Sequence, residues 1–154
     1  MFEAILEQVE KPGQYLGNEW GAIRKDFSSS KCRLVLAFPD IYELGMSNFG
    51  LKILYQVVNK IPEYMVDRTY APARDMEAIL RKNNLPLFAW ESREPVADFE
   101  LVGFSLQYEL TYTNVLNLLE LAGLSLFSIE REKERLFPLV FGGGPSAINP
   151  EPMA

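Results

Sequence analysis

The chain has 154 residues, no histidine, one cysteine and a formal net charge of −6. Its length is typical of one domain with a core large enough to fold without disulfide bonds. The lack of histidine excludes Ser-His-Asp and Cys-His catalysis, and the lone Cys32 excludes an internal disulfide and a zinc site built from nitrogen and sulfur ligands. An acidic charge without a basic block argues against nucleic-acid binding by this segment.

The sequence lacks two features that would direct the protein out of the cytoplasm. No segment is long and apolar enough to span a membrane, and the acidic N-terminal sequence lacks the pattern of a signal peptide. We therefore expect a cytoplasmic protein. Cys32 opens an apolar run, so we expect it to act as a small buried hydrophobe and not as a reactive thiolate.

Residues 1–30 are polar and contain glycines, which predicts an N-terminal arm. Pro12, Gly13 and Gly17 interrupt any regular period, so the arm is expected to contain only short extended pieces. Tyr15 and Trp20 are expected to dock it onto the body. The domain organisation predicted from this is an arm over 1–30 and an incomplete α/β domain over 31–154.

The rest of the chain alternates short apolar runs with stretches of helical period. The predicted strands are 33–40, 63–72, 99–107 and 136–144, and the predicted helices are a segment starting at Ser47 or Asn48, 73–83 and 109–124. Residues 85–90 form a short apolar piece, and the alternating charges of 130–135 predict a solvated turn or helix edge.

This alternation predicts βαβ units, and therefore a parallel sheet with right-handed crossovers and helices on both faces. Pro152 suits the first turn of a further helix. A doubly wound sheet normally continues with such a helix and another strand. We therefore expect the domain to be truncated at its C-terminal end.

Open parallel sheets bind ligands beyond the carboxyl ends of their strands, and three predicted ends carry polar or glycine-rich sequence. Asp40 follows the first strand, and it either bonds a ligand or caps the next loop. Gly142, Gly143 and Gly144 end the last strand, where they either admit a phosphate or flat ring or form a tight turn. Neither a P-loop nor a GxGxxG fingerprint is present.

The third strand end carries Ser105, Gln107, Tyr108 and Glu109. Glu109 with Tyr108 and Tyr112 forms either the polar edge of a pocket or half-buried helix packing with exposed hydroxyls. No pair of carboxylates has a spacing that assigns it the roles of general acid and base. We therefore predict no catalytic residue and no metal ligand in this chain.

Four segments, taken in order, carry a family resemblance: FPDIYELGMSNFGLKILYQVVN, APARDMEAIL, DFELVGFSLQYELTYTNVLNLLELAGL and FGGGPSAINPEPMA. They resemble the N-terminal domain of a group of radical SAM proteins, in which a cobalamin-binding-like domain precedes a radical SAM barrel. The lead-in KPGQYLGNE is similar to the start of that group. The resemblance covers essentially the whole chain.

The resemblance implies a flavodoxin-like, Rossmann-like sheet of strand order 2-1-3-4-5. It also implies that catalysis belongs to the barrel of the same polypeptide, where a CxxxCxxC triad holds a [4Fe–4S] cluster with S-adenosylmethionine. That triad is absent from this chain. The chain is thus expected to be an accessory domain of a radical SAM enzyme.

Related domains ligate cobalamin through DxHxxG, SxL and GG motifs, which the resemblance places on Asp40-Ile41-Tyr42-Glu43-Leu44-Gly45, on Ser105-Leu106-Gln107 and on the three glycines. Tyr42 stands at the histidine position, and the leucine of the second motif is displaced by one residue. Because tyrosine replaces the histidine, coordination of cobalt by histidine is excluded. A phenol is a far poorer cobalt ligand than imidazole. The candidate cofactor-binding residues are Asp40, Tyr42, Gly45, Ser47, Ser105, Gln107, Gly142, Gly143 and Gly144.

Two functions remain open at this point. The first is a domain that binds cobalamin without a histidine lower ligand, and the second is a scaffold that binds no cofactor and docks onto the barrel or another partner. They differ in whether the strand-end pocket is open or filled by Tyr42 and Tyr108. A free-standing receiver-like signalling domain is the weakest alternative, because the sequence lacks a convincing acidic cluster with its lysine.

Overall fold

The computed structural model describes residues 2–134 and 138–153, and its centre is a four-stranded sheet. The strands are β1 (Cys32–Phe38), β2 (Tyr64–Tyr70), β3 (Leu101–Ser105) and β4 (Leu139–Gly143). All pairs are parallel, and the order is β2-β1-β3-β4. The predicted α/β class and parallel sheet are therefore confirmed, and the order agrees with the first four strands of a flavodoxin-like sheet. The start of the last predicted strand, 136–137, lies outside the described residues.

Six α-helices and five short 3₁₀ turns surround this sheet within the described residues. The helices are α1 (Phe2–Leu6), α2 (Tyr42–Ser47), α3 (Phe49–Asn59), α4 (Arg74–Lys82), α5 (Tyr112–Leu121) and α6 (Ser128–Glu134). The 3₁₀ turns are Pro12–Tyr15, Val96–Asp98, Glu109–Thr111, Pro145–Ile148 and Glu151–Met153. The three predicted helices correspond to α3, α4 and α5, and the charged segment after residue 127 forms α6.

The helix α2 is missing from the sequence prediction, which places a tight loop between β1 and the next helix. Gly45 lies in the middle of α2, where glycine lowers helix propensity. A side chain there would collide with the ring of Tyr70 from β2, so packing requires the glycine. The next helix, α3, is capped at its N-terminus by Asn48, whose side-chain oxygen accepts a hydrogen bond from the backbone amide of Leu51 at 2.8 Å.

The pleat of the strands assigns each side chain to one of two faces. Leu36 pairs in register with Arg68, whose guanidinium lies 4.4 Å from the ring centre of Tyr55 in α3. We call this side the α3 face. On the opposite side, Phe104 and Val140 line a groove with side chains of α5, and we call it the α5 face.

The N-terminal arm contains α1 and the 3₁₀ turn Pro12–Tyr15, which the prediction of short extended pieces did not include. Ile5, Val9 and Tyr15 are buried in the same core cluster as the sheet. The hydroxyl of Tyr15 accepts a hydrogen bond from the amide of Ala73 at 3.1 Å, which confirms its predicted docking role. Trp20 is fully exposed, so its predicted docking role is wrong. Cys32 lies half-buried at the start of β1 with a free thiol.

The arm passes so close to the body that glycine is required at one position. Gly17 has a φ of +61°, and a side chain there would collide with the backbone carbonyl of Trp90. A side chain added at Gly13 in the same arm would enter open space. The two glycines therefore form a matched pair for testing how firmly the arm is docked.

We expect Gly17→Ala to lower the free energy of unfolding by about 2 kcal/mol or more, because it combines a left-handed backbone with a clash against main chain. Gly13→Ala is expected to change it by less than about 0.5 kcal/mol. Urea unfolding followed by circular dichroism measures both values. Equal midpoints for the two variants would show that the arm is not held against residues 90–91.

Candidate functional site

The carboxyl ends of β1, β3 and β4 meet along one edge of the sheet. We call residues 39–48, 105–110 and 142–148 the strand-end edge. The side-chain amide of Asn114 donates to the carbonyl of Pro39 at 2.9 Å and links α5 to the β1 loop. The amide of Leu106 donates to the carbonyl of Gly143 at 2.7 Å, so the β3 and β4 loops are also joined.

Asp40 lies on the β1 loop of this edge, and both of its carboxylate oxygens accept hydrogen bonds within the chain. Its Oδ1 accepts from the amide of Ile41 at 2.7 Å, and its Oδ2 accepts from the hydroxyl of Tyr108. The hydrogen bond to the carboxylate raises the pKa of the Tyr108 phenol, so that phenol remains a donor. The pair spans the boundary between β1 and β3, where the strand order reverses.

Tyr42 is turned away from the strand-end edge and toward the arm. Its hydroxyl donates to Glu19 Oε1 at 2.9 Å, and its ring packs edge-to-face on Tyr70 with centroids 5.5 Å apart. Burial, with a smaller contribution from Glu19, raises the pKa of the phenol to about 12. The phenol therefore stays protonated near neutral pH, and it does not fit the role of a cobalt ligand.

Gly45 and Ser47 both serve the packing of α2. The space beside Gly45 is occupied by the Tyr70 ring, and the hydroxyl of Ser47 donates to the carbonyl of Leu44 at 2.8 Å. Gln107 donates through Nε2 to the hydroxyl of Ser105 at 2.9 Å, so these two predicted residues do come together. All four are thus accounted for by contacts inside the domain.

The three glycines after β4 differ in what surrounds them. A side chain at Gly142 would come within 2.9 Å of Leu106 Cδ1, and one at Gly144 would come within 2.5 Å of the Leu106 carbonyl oxygen. Gly144 also has a φ of +119°, which other residues rarely adopt. Only Gly143 has open space beside its α-carbon, so only there does the backbone admit the close approach of another molecule.

The strand-end edge also carries exposed apolar side chains, which the sequence analysis missed. Leu110 is 88% exposed and Ile148 is 89% exposed, and they follow β3 and β4. Ile41, Leu44 and Tyr108 are exposed to a lesser degree on the same edge. Exposed apolar side chains in the loops along one edge of a sheet favour a site of interaction. The signal available in the sequence is that Leu110 and Ile148 are aliphatic residues among mostly polar neighbours in the segments after β3 and β4.

Two cavities lie beside this edge. One, of about 210 Å³, lies between the arm and the loops after β1 and β2, and Tyr42 is the candidate residue in its wall. The other, of about 520 Å³, lies beside β4 on the α5 face, and Gly142 is the candidate residue in its wall. Neither gathers the predicted cofactor-binding residues into one pocket.

Within 2–134 and 138–153, no group of three or more His, Cys, Asp or Glu side chains is placed to hold a metal ion. No helix in the same part of the chain has the length and apolar character needed to cross a bilayer.

The family of N-terminal regions of radical SAM proteins matches residues 50–154. No curated protein and no solved structure matches the chain.

We expect Tyr108→Phe to loosen the strand-end edge, because it removes the donor to Asp40. A net loss of about 1 kcal/mol corresponds to roughly 5-fold faster hydrogen exchange at the amides of 106–110. Tyr64→Phe, at the start of β2, is the matched control and leaves those amides unchanged. Unaltered exchange in Tyr108→Phe would mean that the hydrogen bond does not hold the two loops together.

Proposed function

The chain belongs to the family of N-terminal regions of radical SAM proteins, and from that premise we propose that it is a non-catalytic scaffold domain. In this proposal the strand-end edge packs against the radical SAM part of the same polypeptide. The [4Fe–4S] cluster and S-adenosylmethionine belong to that other part. One cysteine cannot supply the thiolates that a cubane cluster needs, so this chain contributes no ligand set of its own.

The observation that carries the proposal is the hydrogen bond between Tyr108 and Asp40. In open α/β sheets the ligand crevice opens at the point where the strand order reverses, which here is the boundary of β1 and β3. The Tyr108–Asp40 pair bridges that boundary. The apolar residues Leu110 and Ile148, in the segments after β3 and β4, are exposed. The crevice is closed by a hydrogen bond, and the loops around it carry exposed apolar side chains. This combination favours contact with a protein surface over enclosure of a small molecule.

Photo-crosslinking in the full-length radical SAM protein tests this contact. We expect benzoylphenylalanine in place of Leu110 to give products joined to the radical SAM part of the same polypeptide. The same group in place of Lys82, at the exposed C-terminal end of α4, is the control. We expect about ten-fold more intramolecular product at position 110, because both positions share the tether to the radical SAM part and only position 110 lies in the proposed contact.

Mass spectrometry of the joined peptides identifies the partner. Equal yields at positions 110 and 82, or products confined to other proteins, would contradict the packing of the strand-end edge on the radical SAM part.

A second candidate function is favoured by the open backbone at Gly143. We propose as the alternative that a corrinoid binds against this position without a lower ligand from the protein. Tyr42 does not fit as an axial ligand because its hydroxyl is bonded to Glu19. The space beside Gly143 and the exposed side chains of Ile41, Leu44 and Leu110 are compatible with a large flat ring. When bound, a corrinoid would supply cobalt-centred alkyl or electron transfer chemistry.

Reconstitution of the full-length protein with hydroxocobalamin under anaerobic conditions separates the two functions. If the alternative holds, the visible spectrum after desalting shows near-stoichiometric corrinoid, Gly143→Val abolishes retention, and Gly13→Val leaves it intact. The valine at 143 enters open space, so it tests binding without disturbing the fold. No retained corrinoid in the wild-type protein removes the alternative and leaves the scaffold.

A further inference from the structure

The N-terminal arm carries one tight turn that is held to the body on both sides. The amide of Ala22 donates to the carbonyl of Glu19 at 2.9 Å, and Gly21 has a φ of +83°, as the third position of a type II turn requires. The carboxylate of Glu19 approaches the buried guanidinium of Arg68 in β2 at 3.3 Å. The carbonyl of Gly21 accepts from the side-chain amide of Gln56 in α3 at 2.9 Å. The turn therefore has a fixed place on the domain.

Trp20 is the second residue of this turn, and the turn presents it to solvent. It is 104% exposed, so its indole packs on nothing within the described residues. The other tryptophan, Trp90, is 1% exposed and donates to the carbonyl of Gln14. Hydration of a large aromatic side chain is unfavourable, and here no contact inside the domain relieves it. A fully exposed indole on a fixed turn indicates a contact outside the domain.

Apolar side chains also lie along the outer side of α3. Phe49, Ile53 and Val57 are 79%, 60% and 54% exposed and recur every four residues. Each lies about 200° around the helix from one of the buried residues Leu51 and Tyr55. The three exposed side chains therefore form a stripe on the side of α3 that is turned away from the sheet.

Gln56 places the Trp20 turn beside this stripe. It follows Ile53 by three residues and Phe49 by seven, so its side chain lies on the same side of α3. Its hydrogen bond to the carbonyl of Gly21 brings the turn to that side. We call these exposed apolar residues the outer ridge: Trp20, Phe49, Ile53 and Val57.

The free charges in the segments that form the outer ridge are all positive. Residues 20–25 and 44–62 contain no Asp or Glu, although the chain has a net charge of −6. Glu19, which precedes Trp20, is paired with Arg68. In the part of the chain that the structure describes, no carboxylate forms an ion pair with any of the four cations of these segments, which are Arg24, Lys25, Lys52 and Lys60. An apolar surface with unpaired cations is complementary to an anionic partner.

These charges decide between the possible occupants. A second copy packed on the same surface by two-fold symmetry would bring together four cations from each molecule, and like charges oppose such a contact. A protein partner would need a hollow shaped for Trp20 as well as carboxylates opposite the cations. An anionic lipid bilayer needs no matching shape, because its interface accommodates aromatic rings and its headgroups carry the negative charge.

The shape of the outer ridge agrees with a bilayer. Neither the cavity of about 210 Å³ nor the one of about 520 Å³ includes any of its four residues. The surface thus offers side chains that enter a partner.

We propose that the outer ridge is a peripheral binding surface for an anionic lipid bilayer. Trp20, Phe49 and Ile53 enter the headgroup region, and the four cations lie at the level of the lipid phosphates. Contact of this kind needs no helix that crosses the bilayer. It is independent of the scaffold proposal, because no residue of the outer ridge belongs to the strand-end edge.

Flotation of the full-length radical SAM protein with vesicles tests the inference. The vesicles contain three parts phosphatidylcholine and one part phosphatidylglycerol, and vesicles of phosphatidylcholine alone are expected to bind at least about ten-fold more weakly. We expect Trp20→Ser to weaken binding to the anionic vesicles about ten-fold, because it removes the indole from the interface. Lys60→Gln is expected to weaken it about five-fold, because one cation near an anionic surface contributes about that factor.

Leu110→Ser is the matched control. Leu110 is 88% exposed but lies on the strand-end edge, so we expect its replacement to change vesicle affinity by less than about two-fold. The side chains of Trp20 and Lys60 are exposed, so these variants are expected to keep the fold, which circular dichroism checks. Absence of binding by the wild-type protein, or equal affinity of Trp20→Ser and wild type, would overturn the inference.

Benzoylphenylalanine in place of Trp20 identifies what touches the outer ridge. In the presence of the anionic vesicles we expect adducts with lipid acyl chains, which mass spectrometry detects. Products joined only to peptides would assign the outer ridge to a protein surface and contradict the proposal. Equal affinity for the neutral and the anionic vesicles would contradict it as well, since the cations would then have no role.

Discussion

The structure depends on one constraint of sheet geometry, which is that the backbone groups at each edge of the sheet need partners. At the β2 edge the partners are Asn59, Trp90 and Glu91, and the buried charges of Arg68 and Asp67 fix them there. At the β4 edge the outward groups of Val140 and Gly142 face a groove lined by apolar side chains. Within the described residues, the chain's own groups therefore close the β2 edge and leave the β4 edge open.

In the proposed scaffold role, the strand-end edge uses its polar groups for contacts within the domain. The position that related domains use for a cobalt ligand is Tyr42, and its hydroxyl is bonded to Glu19 in the arm. The boundary of β1 and β3 is bridged by Asp40 and Tyr108. The polar groups that would turn toward a ligand are thus used to join loops of the domain, and the surface left exposed is apolar.

The sequence predicts the strands well because each is a short apolar run between turn residues, and it predicts the strand ends where the candidate residues lie. It fails where distant packing decides. The helix α2 is missed because Gly45 reads as a loop residue, whereas the Tyr70 ring is what requires it. The pairing of Asp40 with Tyr108 is missed because no local pattern links two residues that far apart in the chain. Trp20 looks like a docking residue only because large aromatic side chains are usually buried.

Hydrogen exchange in the full-length protein tests the central claim, that the strand-end edge packs against the radical SAM part. The amides of Val66 and Arg68 serve as internal references because their partners are seen directly. The account predicts that the amides of Tyr108 and Leu110 are protected to a similar degree. Rapid exchange at both, with Val66 and Arg68 protected, would contradict it and leave the strand-end edge exposed.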